Sequence, residues 1–457
     1  MTSLIRRPAG VIVLGTLLVV NAGAAHADVV LQWNEIAVRT LTTQNPGLNP
    51  FAQARFASIV QLAVFEAVNT ITGTHDGYLG SAAAGGLTIS APAGSSPDAA
   101  AIAAAYRVLF NYFGSDAATA LALNADRASS LALIADGPSK TNGIATGEAA
   151  AAALIAMRVG DGSSPLTNFL PVSPLDAGEW DITPGCPTTP GGVQLGGILF
   201  NWGDVKPFGI PLPATGHWYE PFRPAPPPAL TSNAYLKDFN EVQAAGSATA
   251  TPQQRPADRT TVVRFYAALS PTYLFHMAAR QLAAARGDSL SENARNLALL
   301  SIATNDALIA SFKTKYHYQF WRPYTAIKLG GTDGNDKTVG DGGWTTFIAT
   351  PCFPSYPSNH ASGSNAAIET LRRIYGAAGH SISLTATIPV IGPTTLSYTQ
   401  LQKISDDIDD ARVYGGIHFR FDQVAGVGLG KEIATYVYKN NLKPVHPEPS
   451  GARAGGR

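Results

Sequence analysis

Apolar residues recur with helical spacing along most of the chain, and this periodicity constrains the fold more than any other feature. They recur every three or four positions from Trp33 to Leu41 and from Phe56 to Val64. Three segments dense in alanine follow, from Asp98 to Phe113, Asp116 to Ile134 and Lys140 to Met157. Because alanine favours helix and allows helices to pack closely, the pattern predicts an all-α fold built from helical bundles.

A long segment rich in proline and glycine, residues 165–230, separates these helices from a second helical group. Large aromatic residues are interspersed within it, among them Trp180, Trp202, Trp218 and Phe222. Aromatic side chains at this density require burial, so we expect the segment to wrap over the helical core and over the mouth of a pocket. Further helices are predicted at residues 233–244, 252–268, 272–286, 289–318, 359–375, 397–413 and 417–440.

These patterns divide the chain into an N-terminal helical region with its wrap, residues 28–230, and a C-terminal helical domain, residues 231–442. Residues 443–457 are rich in proline and glycine and predict a flexible tail. Residues 1–27 combine an arginine pair, an apolar run and a small-x-small site, which is the layout of a cleaved secretory signal peptide. We therefore expect a secreted or periplasmic protein. No later stretch is expected to cross a bilayer, so a stable membrane anchor is not predicted.

The chain carries few charged residues, 14% of the total, and they balance at 32 Lys+Arg and 32 Asp+Glu. No basic patch stands out, so nucleic acid is not an expected partner. The two cysteines, Cys186 and Cys352, either pair in an oxidising compartment or remain two buried thiols, because the sequence does not show whether they are close in space. In so sparsely charged a chain, local clusters of cations are candidate binding sites.

Two clusters of polar residues in the C-terminal half are candidates for an anion site. In the first, Lys315 and Arg322 are two helical turns apart, so both are predicted on one helix face, with the helix ending at Pro323. In the second, Ser358 is a good N-cap for the apolar helix that follows, and His360 lies in its first turn. A helix N-terminus offers unpaired N–H groups and a partial positive charge, which suit an anion.

A third cluster adds another cation and a second histidine. A pair of glycines at 415–416 breaks the helical pattern, so Arg412 is predicted to close one helix and His418 to open the next. Asp422, one turn beyond His418, can accept a hydrogen bond from the imidazole and set its tautomer. Together the clusters provide fixed cations, a hydroxyl, helix N-terminal amides and two histidines, which a multiply charged oxyanion requires in a partly dry site.

In order and spacing, these clusters resemble the signature of the superfamily of vanadium-dependent haloperoxidases and type 2 phosphatidic-acid-phosphatase-like (PAP2-like) acid phosphatases, and most of all its bacterial secreted haloperoxidases. The signature is a Lys, six residues and Arg-Pro; then Pro-Ser-Gly-His; then Arg, five residues, His, three residues and Asp. This chain has Lys315…Arg322-Pro323, Pro357-Ser358-Asn359-His360 and Arg412…His418…Asp422. The resemblance implies an all-α fold of helical bundles. One departure is Asn359, where the family usually has glycine, so a side chain must be accommodated beside the anion.

The resemblance implies vanadate as the cofactor, with phosphate as a competing oxyanion. It assigns the equatorial oxygens to the side chains of Lys315, Arg322, Ser358 and Arg412 and to the backbone N–H of Asn359. His418 would be the axial ligand to vanadium, and His360 the acid–base group near the apical oxygen. Lys315 is also implied as a catalytic residue that activates hydrogen peroxide toward halide. Phe312 and Phe353 would form the walls of a halide pocket, or else are ordinary core aromatics.

The function implied first is a vanadate-dependent haloperoxidase, whose partners are hydrogen peroxide, a halide and a small organic substrate. The alternative is a PAP2-like acid phosphatase acting on a phosphomonoester, with His418 as the nucleophile and His360 as the proton donor. A second alternative is a non-catalytic homologue that binds an oxyanion, which would hold if the side chain of Asn359 blocks the apical position. The long N-terminal half, which compact bacterial acid phosphatases lack, favours the haloperoxidase.

Overall fold

The computed structural model describes residues 28–81, 84–250 and 254–445. The predicted signal peptide at residues 1–27 lies outside the described residues, as does the predicted tail from residue 446 onward. The first residues of the predicted tail, 443–445, form backbone hydrogen bonds with the N-terminal half. The N–H of Asp76 donates to the carbonyl of Lys443 at 2.8 Å, and the N–H of Val445 donates to that of Thr74 at 3.1 Å.

The all-α prediction is confirmed, because helices are the main regular structure in both halves of the chain. The first half contains α1 (Val29–Arg39), α2 (Pro50–Thr72), α3 (Pro97–Phe113), α4 (Ala117–Ala132) and α5 (Pro138–Met157). A π-helical turn, Thr40–Gln44, extends α1, and two 3-10 turns, Phe200–Asp204 and Glu220–Phe222, interrupt the wrap. The boundaries follow the predicted ones closely because polar side chains cap the helices, as Asp116 does for α4.

The second half contains α6 (Asn233–Ala245), α7 (Ala257–Ala268), α8 (Pro271–Arg286), α9 (Leu290–Tyr318), α10 (Pro323–Lys328) and α11 (Asn359–Tyr375), then the antiparallel strands β1 (Ala378–Ile388) and β2 (Gly392–Gln400), then α12 (Leu401–Val413) and α13 (Arg420–Asn440). The hairpin was not predicted, and the helix expected over 397–413 starts at Leu401. In β1, buried Ile382 and Leu384 alternate with exposed serine and threonine residues, which is the two-residue period of a strand.

Helix α9 lies at the centre of the molecule and packs against α2, α11 and α13. One hydrophobic cluster runs from Val29 to Leu442, so the core is continuous across the predicted domain boundary at residue 230. Glycines let α13 approach α11 closely, because a Cβ on Gly426 or Gly430 would lie 2.6 Å or 2.2 Å from a carbonyl oxygen of α11 or its N-cap. This approach holds the start of α13 beside the start of α11, where two of the predicted motifs meet.

Helix α2 is a core helix. Among the described residues it is the one helix long and apolar enough to cross a bilayer by length and composition, which the sequence-based expectation overlooked. In the folded protein 94% of its most apolar window is buried. Its apolar character is therefore matched by packing against α3, α5 and α9.

The wrap predicted over residues 165–230 covers the core and reaches the site. Its tryptophans are buried and its last aromatic is half-buried: Trp180, Trp202, Trp218 and Phe222. A disulfide joins Cys186 to Cys352, with Cα atoms 4.7 Å apart, so the alternative that the sequence left open is resolved in favour of pairing. Because Cys352 directly precedes Phe353, the disulfide ties the wrap to the loop that leads into α11.

His276 on α8 is buried against α1 and α9, and it predicts a pH dependence of stability. Its ring nitrogens contact Asn34 Nδ2 at 2.6 Å and Ser301 Oγ at 3.3 Å. Burial, with a smaller contribution from Arg280, lowers its pKa from 6.5 to about 3. The unfolded chain binds a proton there below pH 6.5 while the folded protein stays neutral, so stability falls as the pH drops from 6.5 toward 3.

At pH 5 we expect this histidine to lower the free energy of unfolding by about 2 kcal/mol relative to pH 7. Urea unfolding at both pH values, in the protein and in His276→Gln, measures the effect. The variant should lose less stability between the two pH values. An equal loss in both proteins would contradict the assignment to His276.

Candidate functional site

Lys315 reaches the site from α9 and Arg322 from the extended residue before α10, which corrects the prediction of a single helix face. Helix α9 ends at Tyr318, and Gln319 follows in the left-handed conformation with φ 46°. Arg322 is extended because proline restricts the residue before it, and Pro323 begins α10 instead of ending α9. Both cationic side chains are nevertheless fully buried in the same region.

The N-terminus of α11 forms as predicted. The hydroxyl of Ser358 caps the helix by accepting from the N–H of Ala361 at 3.3 Å. Because the oxygen is the acceptor in this cap, the hydroxyl keeps its own hydrogen to donate elsewhere. Asn359 is the first residue of the helix and His360 the second, and both face the cavity described below.

Arg412, His418 and Asp422 lie around the break between α12 and α13. Arg412 is in the last turn of α12, as predicted. Helix α13 begins at Arg420, so His418 precedes the helix instead of opening it. The later start has a local cause, since the carboxylate of Asp422 accepts from the N–H of Phe419 at 3.1 Å and caps the helix there.

A hydrogen-bond network fixes the tautomer of His418. Its Nδ1 lies 2.7 Å from Asp422 Oδ2, which is the contact expected from the sequence, and Ser355 Oγ donates to the same oxygen at 2.5 Å. Since the carboxylate accepts, Nδ1 carries the ring hydrogen and Nε2 presents a lone pair. That lone pair accepts from Arg322 Nη1 at 3.1 Å and so faces the cationic side of the site.

Backbone carbonyls hold two of the cations in place. Lys315 Nζ donates to the successive carbonyl oxygens of Pro354 and Ser355, at 2.8 Å and 2.6 Å. Arg322 Nε donates to the carbonyl of Phe353 at 2.8 Å, and its Nη1 donates to a second carbonyl at 2.7 Å. These contacts orient the cations but leave their charge unneutralised, because a carbonyl carries no net charge.

At this site, three guanidinium nitrogens have no hydrogen-bond partner among the described residues. Within the described part of the chain, nothing accepts a hydrogen bond from Nη2 of Arg322 or from Nε and Nη1 of Arg412, although all three atoms are buried. With Lys315, three basic side chains face the single carboxylate of Asp422. Buried donors and charges without partners are costly. The arrangement therefore fits a multiply charged anion that accepts from these atoms.

Burial and mutual repulsion shift the pKa values of the site toward neutral forms. Burial lowers the pKa of Arg322 to about 9 and that of Arg412 to about 10. Burial and the neighbouring Arg322 hold the pKa of Lys315 well below its usual value. Burial and the surrounding cations also lower the pKa of His360 and of His418 well below the usual range. Both imidazoles are therefore neutral at neutral pH, so each can act as a ligand or a proton acceptor.

A cavity of about 460 Å³ opens over these groups. Its polar end is formed by Asn359, His360, Arg412 and His418. Its apolar walls come from both halves of the chain and include Phe51, Ile198, Leu199, Leu308, Ile348 and Phe353. The other predicted site residues lie behind this surface and are fully buried: Lys315, Arg322, Ser358, Asp422 and Phe312. The structure thus brings all of the predicted residues to one region but exposes only some of them to the cavity.

The two phenylalanines proposed for a halide pocket occupy different positions. Phe353 lies on the cavity wall, and Phe312 stands behind it in the core with ring centroids 5.0 Å apart. The ring of Phe353 also covers the cations, with its centroid 5.3 Å from Lys315 Nζ and 5.0 Å from Arg322 Cζ. Phe353 therefore separates these cations from the cavity, whereas Phe312 packs as a core aromatic.

Two parts of the site were not anticipated. Ser355 lies inside the second cluster. Its carbonyl accepts from Lys315 and its hydroxyl donates to Asp422, and these contacts are evident only in the folded chain. The wall residues of the N-terminal half, such as Phe51 and Leu199, carry no local sequence signal for a site.

Residues 295–447 match the family of the VCPO second helical-bundle domain. Vanadium chloroperoxidase from Curvularia inaequalis is 36% identical to this chain over 92 residues, which cover 18% of this chain and 14% of that protein. The matched stretch is therefore a small part of that relative's length.

Two solved structures share the fold over nearly the whole chain. A bacterial vanadium-dependent iodoperoxidase superposes with a TM-score of 0.71 at 21% identity and covers 91% of this chain and 97% of its own. The holo form of a bacterial vanadium-dependent chloroperoxidase superposes with a TM-score of 0.65 at 16% identity, over 89% and 97% of the two chains. At these identities the likeness establishes the shared helical fold of both halves.

Proposed function

We propose that this chain is a vanadate-dependent haloperoxidase. Its residues 295–447 match the VCPO second helical-bundle domain family, and this match confirms the resemblance of its motifs. The protein would use hydrogen peroxide to oxidise a halide to a hypohalous species, which reacts with a small organic substrate. One observation carries the proposal: Arg412 lines the polar end of a cavity with two buried nitrogens that lack a partner among the described residues, and Arg322 lies behind it with a third.

The residues present fit vanadate. Arg322 and Arg412 would donate their unpartnered N–H groups to its oxygens, and Lys315 would add positive charge from behind. The hydroxyl of Ser358 and the backbone N–H of Asn359 would complete the donor set at the start of α11. When bound, vanadate supplies Lewis-acid activation of hydrogen peroxide toward a halide.

The two histidines would divide ligation and proton transfer. Asp422 keeps the ring hydrogen on Nδ1 of His418, so Nε2 is the atom suited to ligate vanadium. His360 lines the cavity, where its ring would take the proton that hydrogen peroxide releases and return it to a departing oxygen. Burial and the charge of Arg412 lower the pKa of His360, which keeps the ring a proton acceptor at neutral pH.

A PAP2-like phosphatase is the second candidate, because the same donors suit phosphate. A neutral His418 oriented by Asp422 is equally suited to attack phosphorus, and His360 to protonate the leaving group. The apolar walls favour the haloperoxidase, because they come partly from the N-terminal half and lower the access of water to the polar end.

Reconstitution of the purified protein with orthovanadate tests the proposal. We expect halogenation of a cyclic 1,3-diketone that requires hydrogen peroxide, a halide and added vanadate, and that inorganic phosphate suppresses by competition. The same protein without vanadate is the control. Hydrolysis of a phosphomonoester without halogenation would instead establish the second candidate, and vanadate binding with neither activity would establish a non-catalytic oxyanion-binding protein.

A further inference from the structure

The side chain of Asn359, which stands where the family has glycine, is held in one orientation at the polar end of the cavity. Asn359 is more than nine-tenths buried, at 6% exposure, and lines the cavity beside His360 and Arg412. Ser311, one turn before Lys315 on α9 and fully buried, donates from Oγ to Asn359 Oδ1 at 2.8 Å. The carboxamide is therefore anchored through its oxygen.

Anchoring the oxygen directs the amide nitrogen away from Ser311. A carboxamide is planar, with its acceptor and its two donor hydrogens on opposite sides. Once Oδ1 is occupied by the Ser311 hydroxyl, Nδ2 must find its acceptor elsewhere. Among the described residues nothing accepts from Nδ2 of Asn359, and the residue borders the same cavity as Arg412 and His418.

We propose that Asn359 Nδ2 is an additional hydrogen-bond donor to the bound oxyanion, and that Ser311 is a positioning residue that fixes the amide for this role. The inference rests on the proposed function in that the anion is vanadate or its analogue phosphate. The side chain then extends the backbone donor expected at this position instead of blocking the apical position.

The charge balance of the site explains why a neutral donor is suited here. Lys315, Arg322 and Arg412 already repel one another, and this repulsion contributes to the lowered pKa values of Lys315 and Arg322. A fourth cation at position 359 would add to that repulsion before any anion binds. An amide adds an N–H donor without charge, so it strengthens anion binding without adding to the repulsion among the cations.

Binding titrations of orthovanadate and of inorganic phosphate test the inference without any assay of activity. Calorimetry would compare the apoprotein with Asn359→Gly, which keeps the backbone N–H, with Asn359→Ala, with Ser311→Ala, and with the double variant Ser311→Ala/Asn359→Gly. We expect Asn359→Gly and Asn359→Ala to weaken both anions about tenfold, as loss of one hydrogen bond to a charged group does. Thermal melting of each apoprotein checks that it is folded.

Ser311→Ala alone should weaken binding about threefold to fivefold, since the amide is then free to rotate. In the Asn359→Gly background the serine change should have no further effect, because Ser311 acts only through the amide. A purely structural role for Ser311 would give the same loss in both backgrounds and would overturn the positioning role.

The outcomes also separate this inference from the proposed function. If the unaltered protein binds neither anion, the proposed function fails. If it binds vanadate and both folded Asn359 variants bind it equally well or more tightly, the donor role of Asn359 fails while the proposed function stands.

Discussion

Replacement of His418 by alanine is expected to abolish vanadate retention and halogenation together. The Nε2 atom of His418 carries a lone pair at the polar end of the cavity. The contact of Nδ1 with Asp422 orients the ring, and Nε2 faces Arg322. Alanine removes the ligand atom itself, whereas loss of a partner behind a metal ligand costs about 10–100-fold in affinity. We therefore expect Kd for vanadate to rise by at least about a hundredfold, measured by equilibrium dialysis or calorimetry.

Two further variants are the comparisons for this result. Asp422→Asn keeps the ring of His418 but weakens control of its tautomer, so an intermediate loss of about 10–100-fold is expected. His217→Ala removes an exposed histidine far along the chain and should leave vanadate binding unchanged. Unchanged vanadate binding in His418→Ala would contradict the assignment of Nε2 as the ligand atom.

Replacement of Arg412 by leucine is expected to move stability and anion binding in opposite directions. Nε and Nη1 of Arg412 are buried without a partner among the described residues, so the substitution breaks no hydrogen bond at these atoms in the free protein. It also removes a cation that repels Lys315 and Arg322. We expect the apoprotein to gain ~1–2 kcal/mol of unfolding free energy, since a poorly compensated buried charge is replaced by hydrocarbon.

The same change should weaken binding of vanadate and phosphate about a hundredfold, because two charge-assisted hydrogen bonds are lost. Arg322→Leu is the matched comparison: it breaks contacts with the carbonyls of Phe353 and Ile417, so it should lower stability as well as binding. Denaturant unfolding and anion titration on both variants measure the contrast. If the apoprotein of Arg412→Leu is markedly less stable than the unaltered apoprotein, Arg412 has a structural partner and the prediction is wrong.

The chemistry of the site was predictable because each polar motif is short and its residue types carry a meaning of their own. Ser358 was identified as a helix cap and Asp422 as the partner of His418, and both contacts are present. The resemblance, and not any local pattern, indicated that the three motifs meet at one site. In the structure it depends on Gly426 and Gly430, which let α13 lie against α11.

Where local rules competed, no feature of the sequence indicated which of them would prevail. Helical spacing placed Lys315 and Arg322 on one helix, but the restriction on the residue before Pro323 prevailed and ended the helix early. The hairpin of β1 and β2 was missed although Ile382, Leu384 and Ile388 carry the two-residue period of a strand. The contact between Ser355 and Asp422 joins residues far apart in sequence, so no local pattern reveals it.

The two sides of the cavity come from different halves of the chain. Every charged group of the anion site comes from the second half of the chain, in the stretch that carries the family likeness. The facing surface, with Phe51, Ile198 and Leu199, comes from the first half and is tied in by the Cys186–Cys352 disulfide. Substitutions on the facing surface can therefore change which molecules fit the cavity while the charged groups on the other side stay in place.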